Sequence, residues 1–238
     1  MDNSKIGQHI SGQFNKELED IRNNVLTMGG LVEQQIEKAV EAFMTGDMEM
    51  AELVIKQDNQ VDALEMLIDQ ECMQILALRQ PAAFDLRLLI TVIKTINELE
   101  RVGDMAERIA EMAIRLSDTD GNKHEQYYEL QHMADLVRDM LHGALDAFAR
   151  MSIENVTAIT GRDEDVDREY GSIIRQLITR MMEDPRNITR TLDVLWTARA
   201  LERIGDHSVN ICENVIYMVK GEDVRHMTQA ELEKKIKG

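Results

Sequence analysis

The amino-acid sequence predicts an all-α fold of two tandem three-helix bundles produced by internal duplication. Only 2 prolines and 13 glycines interrupt 238 residues that are 44% hydrophobic and 30% charged, a composition of long helices. The segment Leu99-Glu100-Arg101-Val102-Gly103-Asp104 returns as Leu201-Glu202-Arg203-Ile204-Gly205-Asp206, shifted by 102 residues. An acid-x-x-x-acid spacing alone carries little, because 44 acids in this chain supply roughly eight such pairs by chance. Recurrence in register is the informative observation.

Further correspondences fix the organisation. Ala42-Phe43 overlies Ala147-Phe148 at a shift of 105, which also superposes Asp58 on Asp163, Val61 on Val166 and Asp62 on Asp167. Pro81 meets Pro185 at a shift of 104, so each half carries the same three elements with slightly different connections. Helices are expected near residues 14–44, 48–79 and 82–116, then 124–150, 153–182 and 187–219. Gly46 stops the first helix and Asp47 caps the second, while Pro81 and Pro185 suit first turns and Asp184 caps its helix. Ser117 to Asn122 collects turn formers without apolar periodicity and reads as the linker. Thr228-Gln229-Ala230-Glu231 has the form of a capping box before a short C-terminal helix. The expected units are therefore a first repeat over 1–118, a second over 119–220 and a tail over 221–238.

Composition narrows the function classes. The formal charge of −17 repels phosphate backbones and anionic headgroups, which argues against nucleic-acid partners and leaves any membrane association to run through proteins. No apolar run reaches about twenty residues and the N-terminus lacks a leader pattern, so a soluble cytoplasmic chain is expected. Cys72 and Cys212 read as buried free thiols. With aromatics at 4% and 16 methionines, the core is expected to be aliphatic with Met filling irregular gaps, in preference to a Met-lined docking groove. Glycine-rich phosphate loops, Cys clusters and nucleophile elbows are all missing, so nothing identifies an enzyme.

The acids are the chemistry-bearing feature. At about 100° per residue, the apolar stripe Leu89, Ile93 and Ile96 runs directly into Glu100, Asp104, Glu107 and Glu111. Val102, Met105 and Ile109 lie on the far side, which predicts neighbours on two faces of this helix. In the second half Leu195 and Ala198 lead into Glu202, Asp206 and Glu213, with Asn210 near the edge and Val209 where the first half has an acid. Asp58-x-x-x-Asp62 and Asp163-x-x-x-Asp167 lie in the preceding helices at matching heights across each prolyl hairpin. Carboxylates crowded between helices either take up protons or require a cation. Oxygen donors without His or Cys suit hard or borderline ions such as Mg, Mn, Ca or Fe. The competing reading is that Arg101, Arg108, Arg115, Arg199 and Arg203 form solvated ion pairs with these acids. A di-iron oxidase normally uses two Glu-x-x-His motifs, and only Glu129-x-x-His132 has that spacing. His207 reads as a surface or packing residue, and Gly103 and Gly205 as close-approach points that also leave room beside a metal.

The duplicated Leu-Glu-Arg-Val/Ile-Gly-Asp, the two Asp-x-x-Val-Asp segments, the opening His9-Ile10-Ser11-Gly12-Gln13-Phe14-Asn15 and Arg79-Gln80-Pro81 with Asp85-Leu86-Arg87 together resemble the PhoU family in its γ-proteobacterial form. That resemblance implies a cytosolic, non-catalytic accessory protein of the phosphate-specific ABC transport system. It implies a homodimer that communicates between the transporter's permease and ATPase subunits and a phosphate-sensing histidine kinase, restraining the phosphate-starvation response. It also implies a face binding divalent or trivalent ions (Fe, Mn, Mg or Zn), carried here by Asp58, Asp62, Glu100 and Asp104, then Asp163, Asp167, Glu202 and Asp206. Asn210 and Glu213 extend the second set, whereas Arg108 occupies the Asn210 position in the first and weakens it. A carboxylate-bridged metalloenzyme and a purely structural dimer are the alternatives.

Overall fold

The computed structural model describes residues 12–120 and 127–237, so the motif residues His9 to Ser11 and the linker residues Gly121 and Asn122 lie outside it. The first bundle comprises α1 (Gly12–Thr45), α2 (Met48–Arg79) and α3 (Ala83–Asp120). The second comprises α4 (Tyr128–Arg150), the short α5 (Val156–Thr160), α6 (Asp163–Glu183) and α7 (Ile188–Lys220), and α8 (Gln229–Lys237) follows.

Local chemistry accounts for most boundaries. Gly46 takes φ 72°, a left-handed value that L side chains resist, and Asp47 accepts a hydrogen bond from the Met50 amide at 2.9 Å to cap α2. Asp184 accepts from the Arg186 amide and caps a 3-10 turn, Pro185–Asn187, that leads into α7. The capping box of α8 forms reciprocally: the Thr228 amide donates to Glu231 at 2.8 Å and the Glu231 amide to Thr228 Oγ1 at 3.4 Å. The Lys220 ammonium donates to the Lys235 carbonyl at 2.6 Å, satisfying the other end of the same helix.

Several boundaries differ from expectation, and Pro81 precedes α3, which starts at Ala83, instead of lying in its first turn. Helix α3 continues to Asp120, four residues beyond the expected end. The helix expected over 153–182 is split at Gly161-Arg162, where the Arg162 amide bonds to Ile159 in a tighter i to i−3 turn. Glycine has low helix propensity, and Gln229 from α8 donates to the Thr157 carbonyl at 2.7 Å while accepting from Thr160. The tail thus holds the break in place, and its Leu232 is buried.

The centre of the molecule is the packing of α3 on α7, with α1 meeting α4 beside it and α2 and α6 on the outer edges. Helix α3 is buried on both sides, as its two apolar stripes require: Leu99, Val102, Ala106 and Ile109 are all inaccessible. The core is aliphatic, with Phe148 its largest wholly buried side chain. Methionine divides between two environments: Met28, Met133 and Met140 fill the core, but Met66, Met73 and Met182 project from the outer helices. Both cysteines are buried free thiols, and burial pushes each pKa up to about 12. No described helix is long and apolar enough to cross a membrane.

Truncating Ile109 to Ala in this doubly buried helix is expected to cost about 2–5 kcal/mol in urea denaturation. The exposed Met66→Ala should change stability by less than about 0.5 kcal/mol in the same assay.

Candidate metal-binding faces

Antiparallel packing of α2 on α3 brings Asp58 beside Asp104 and Glu107. One oxygen from each of these three lies within 4.8 Å of the others. Asp58 is buried, and the Gln35 amide of α1 donates to its Oδ1 at 3.2 Å. The close approach depends on Gly103, where a Cβ would stand 2.8 Å from the same oxygen. Asp62 and Glu100 complete the first face: Asp62 adds charge to Asp58, Glu100, Asp104 and Glu107. Burial, followed by neighbouring carboxylates, raises the pKa values of Asp58, Glu100, Asp104 and Glu107, against the opposing Gln35 hydrogen bond at Asp58 and the opposing charges of Arg101 and Arg108.

The second face has the same plan with weaker closure. Gly205 lies beside Asp163 Oδ1, but at 3.6 Å, an ordinary contact. Burial first, then Asp206 and Asp167, raise the Asp163 pKa from 3.8 to about 6. Burial likewise raises Glu202 and Asp206, each also facing the charge of Asp167. Arg199 pairs directly with Glu202 Oε1, so the ion-pair reading is realised at this acid. Val209 stands where Glu107 stands in the first repeat, and Met140 where Gln35 stands, so two of the first face's polar groups have apolar counterparts.

The three-acid convergence therefore forms in the repeat expected to be the weaker, and it forms through Glu107, which lies on the acidic stripe but outside the motif-derived ligand set. Gln35 was also missed. Its sequence signature is an amide inside the apolar stripe of α1, between the buried Val32 and Ala39. Asn210 and Glu213, assigned to the second face, are drawn elsewhere. Asn210 donates to Glu98 Oε2 at 3.1 Å, and Glu213, its pKa raised chiefly by burial, faces Asp223 and Glu98.

Glu98 belongs to α3, and His207 of α7 approaches the same oxygen at 2.7 Å. His207 is buried and its Nε2 has no partner, contrary to the surface or simple packing role expected of a lone helical histidine. Burial opposes ionisation of Glu98, yet the His207 and Asn210 hydrogen bonds outweigh it and lower the pKa. Glu98 sits two residues before Glu100 and His207 one after Asp206, so this bridge joins the acid-bearing segments of the two repeats. The imidazole lies within electrostatic reach of both Asp104 and Asp206.

The donor set fits a hard cation. Gln35 Oε1 beside the first face and Glu202 Oε2 on the second are buried acceptors lacking a donor, and a positive ion would satisfy such oxygens. His and Cys are absent from both sets, which leaves carboxylate and amide oxygen as the coordinating chemistry.

Fold and site together define a duplicated helical-bundle protein with paired acidic faces, and the comparisons give its family. The PhoU domain model matches residues 25–113 and 130–215. The chain is 48% identical over 233 residues to the phosphate-specific transport system accessory protein PhoU homolog of Pseudomonas putida, covering 98% of this chain and 91% of that protein. It is 46% identical to the phosphate-specific transport system accessory protein PhoU of Escherichia coli K12, covering 100% and 98%. The crystal structure of PhoU from Pseudomonas aeruginosa superposes with a TM-score of 0.84 at 48% identity, covering 88% of this chain and 100% of that one. That of the phosphate transport system regulatory protein PhoU from Streptococcus pneumoniae gives 0.82 at 31% identity, covering 89% and 99%. The chain belongs to the PhoU family, accessory and regulatory proteins of phosphate-specific transport and not enzymes.

Two outcomes follow from the geometry. Gly103→Ala pushes against the hydrogen-bonded Asp58 and should destabilise the chain by about 1 kcal/mol net of its helix-propensity gain, whereas Gly205→Ala should stabilise it by up to about 1 kcal/mol. Thermal unfolding of both variants decides this. Raised folded-state pKa values also mean that the metal-free chain binds protons the unfolded chain does not. Their contribution is present below pH 3.8 and is lost as pH rises through about 6 at Asp163. Chelator-treated protein should therefore lose stability across that window, and added Mn or Mg should flatten the loss.

Proposed function

We propose that this chain is a negative regulator of the phosphate-starvation response, acting as a cytoplasmic adaptor between a phosphate-specific ABC transporter and a sensor histidine kinase. The observation that carries this is end-to-end similarity to phosphate-specific transport accessory proteins, including the match over 98% of the length of the Escherichia coli protein. In this reading the chain is a homodimer and reaches the membrane only through the transporter's permease and ATPase subunits.

The acidic faces act as metal-dependent structural or docking surfaces. Asp58, Asp62, Glu100, Asp104 and Glu107 would hold an ion in the first repeat, and Asp163, Asp167, Glu202 and Asp206 in the second. Bound metal neutralises carboxylates that otherwise repel across each hairpin, fixing the outer helices α2 and α6 on the central pair. Such a site works by holding geometry and needs no open coordination position, in contrast to a hydrolytic or oxidative centre.

Deletion of the gene should switch on a phosphate-starvation reporter in phosphate-rich medium, and the wild-type gene should restore repression. Complementation with Asp58→Asn and Glu107→Gln together should leave the reporter active although the protein accumulates to wild-type levels. Normal repression in the deletion strain overturns the regulatory assignment, and full repression by the double variant overturns the metal-dependent part alone.

A further inference from the structure

Among the described residues, no helix packs on the outer face of α2. Helix α2 packs on α1 and α3, with Val54, Val61, Ile68 and Ile75 turned inward at seven-residue spacing. On the opposite side, Met66 and Met73 are 70% and 56% exposed, and Leu67 beside them is 46% exposed. At about 100° per residue, positions 63, 66, 67, 70, 73, 74 and 77 share one arc of this outer surface. Their spacing is the heptad spacing of a helix-pairing seam.

Two properties of the seam select its occupant. First, it carries no charge: from residue 63 to residue 77 the arc offers only Ala, Met, Leu and Gln, in a chain of net charge −17. A basic partner, a nucleic acid or an anionic lipid surface finds no complementary charge there. Second, its order is nearly palindromic about Gln70. Run antiparallel against itself, Ala63 faces Ala77, Leu67 faces Met73, Met66 faces Gln74, and Gln70 meets its own twin. Small residues at both ends allow close helix approach, and an amide carries both donor and acceptor, so two Gln70 side chains can bond each other across a two-fold axis.

We propose that a second copy of this chain docks on this seam, α2 against α2 in antiparallel fashion with Gln70 on the two-fold axis. This rests on the homodimer proposed above and names its surface. The corresponding face of α6 is unsuited to the same pairing, because Arg168 and Arg175 fall where α2 has Ala63 and Gln70. Since the seam is neutral and each chain carries −17, association strengthens with salt as the long-range repulsion is screened.

Analytical ultracentrifugation of the full chain tests this. The wild type should dimerise, more tightly at 0.5 M than at about 0.05 M NaCl. Gln70→Glu and Gln70→Lys each place two like charges on the axis and should each weaken the dimer at least 10-fold, with unchanged far-UV circular dichroism. An equimolar mixture of the two should recover wild-type affinity as a heterodimer, which only a contact of position 70 with itself produces. A monomeric wild type overturns both the homodimer and its surface. A wild-type dimer indifferent to both variants leaves the homodimer standing and overturns this surface. Sedimentation of the wild type, but not of Gln70→Glu, with phosphatidylglycerol vesicles would assign the seam to lipid and also overturn the proposal.

Discussion

Carboxylates gathered between packed helices are the constraint on which the rest of this structure depends. Helices α3 and α7 each present an apolar stripe that gives way, on the same side, to acids, and the outer helices α2 and α6 close over those acids with acids of their own. Apolar burial along the stripe fixes how deeply each hairpin closes. Closure then buries these acids beside one another, and burial first, with neighbouring carboxylates adding to it, pushes the pKa values of Asp58 and Asp163 up. In the proposed reading, a bound cation would supply the counter-charge that lets the hairpins stay closed with these acids ionised.

Duplication has not kept the two faces equal. In the first repeat Gln35 orients Asp58 and Glu107 adds a third oxygen, with Gly103 leaving no spare room between α2 and α3. In the second, apolar residues take the places of Gln35 and Glu107, and Arg199 already pairs with Glu202. The break at Gly161 further separates the two: α2 is continuous, while its counterpart is held in two pieces by Gln229 of the tail. Between the faces, the buried His207 and the half-buried Glu98 and Asn210 form a polar bridge across the packing of α3 on α7. Glu98 and His207 lie within two residues of Glu100 and Asp206 in sequence, so the bridge ties the acid-bearing segments of the two repeats together.

The fold class, the repeat and most helix ends were legible in the sequence because they follow from local rules: Asp47 as a cap, Gly46 as a stop, Thr228 and Glu231 as a capping box. The pairing of Asp58 with the Glu100 helix was legible from residue counts about the proline. What escaped depends on tertiary contact. Gln35 lies on a third helix, and no spacing rule links it to Asp58. His207 meets Glu98 across 109 residues. Helical rotation correctly put His207 away from Glu202, but it could not show that this side packs against the other repeat. Asn210 was assigned to the acidic face by its place one turn after Asp206, yet the half-buried Glu98 of the other repeat offers it a carboxylate acceptor. The break at Gly161 depends on a side chain from the tail, so the local pattern alone read as one continuous helix.

Anomalous diffraction from crystals grown with Mn tests the central claim most directly. An anomalous peak bounded by Asp58, Asp104 and Glu107 is the predicted result, with equal or lower density beside Asp163 and Asp206. No peak at either face, in crystals grown at neutral pH with the hairpins closed as described, would contradict the account.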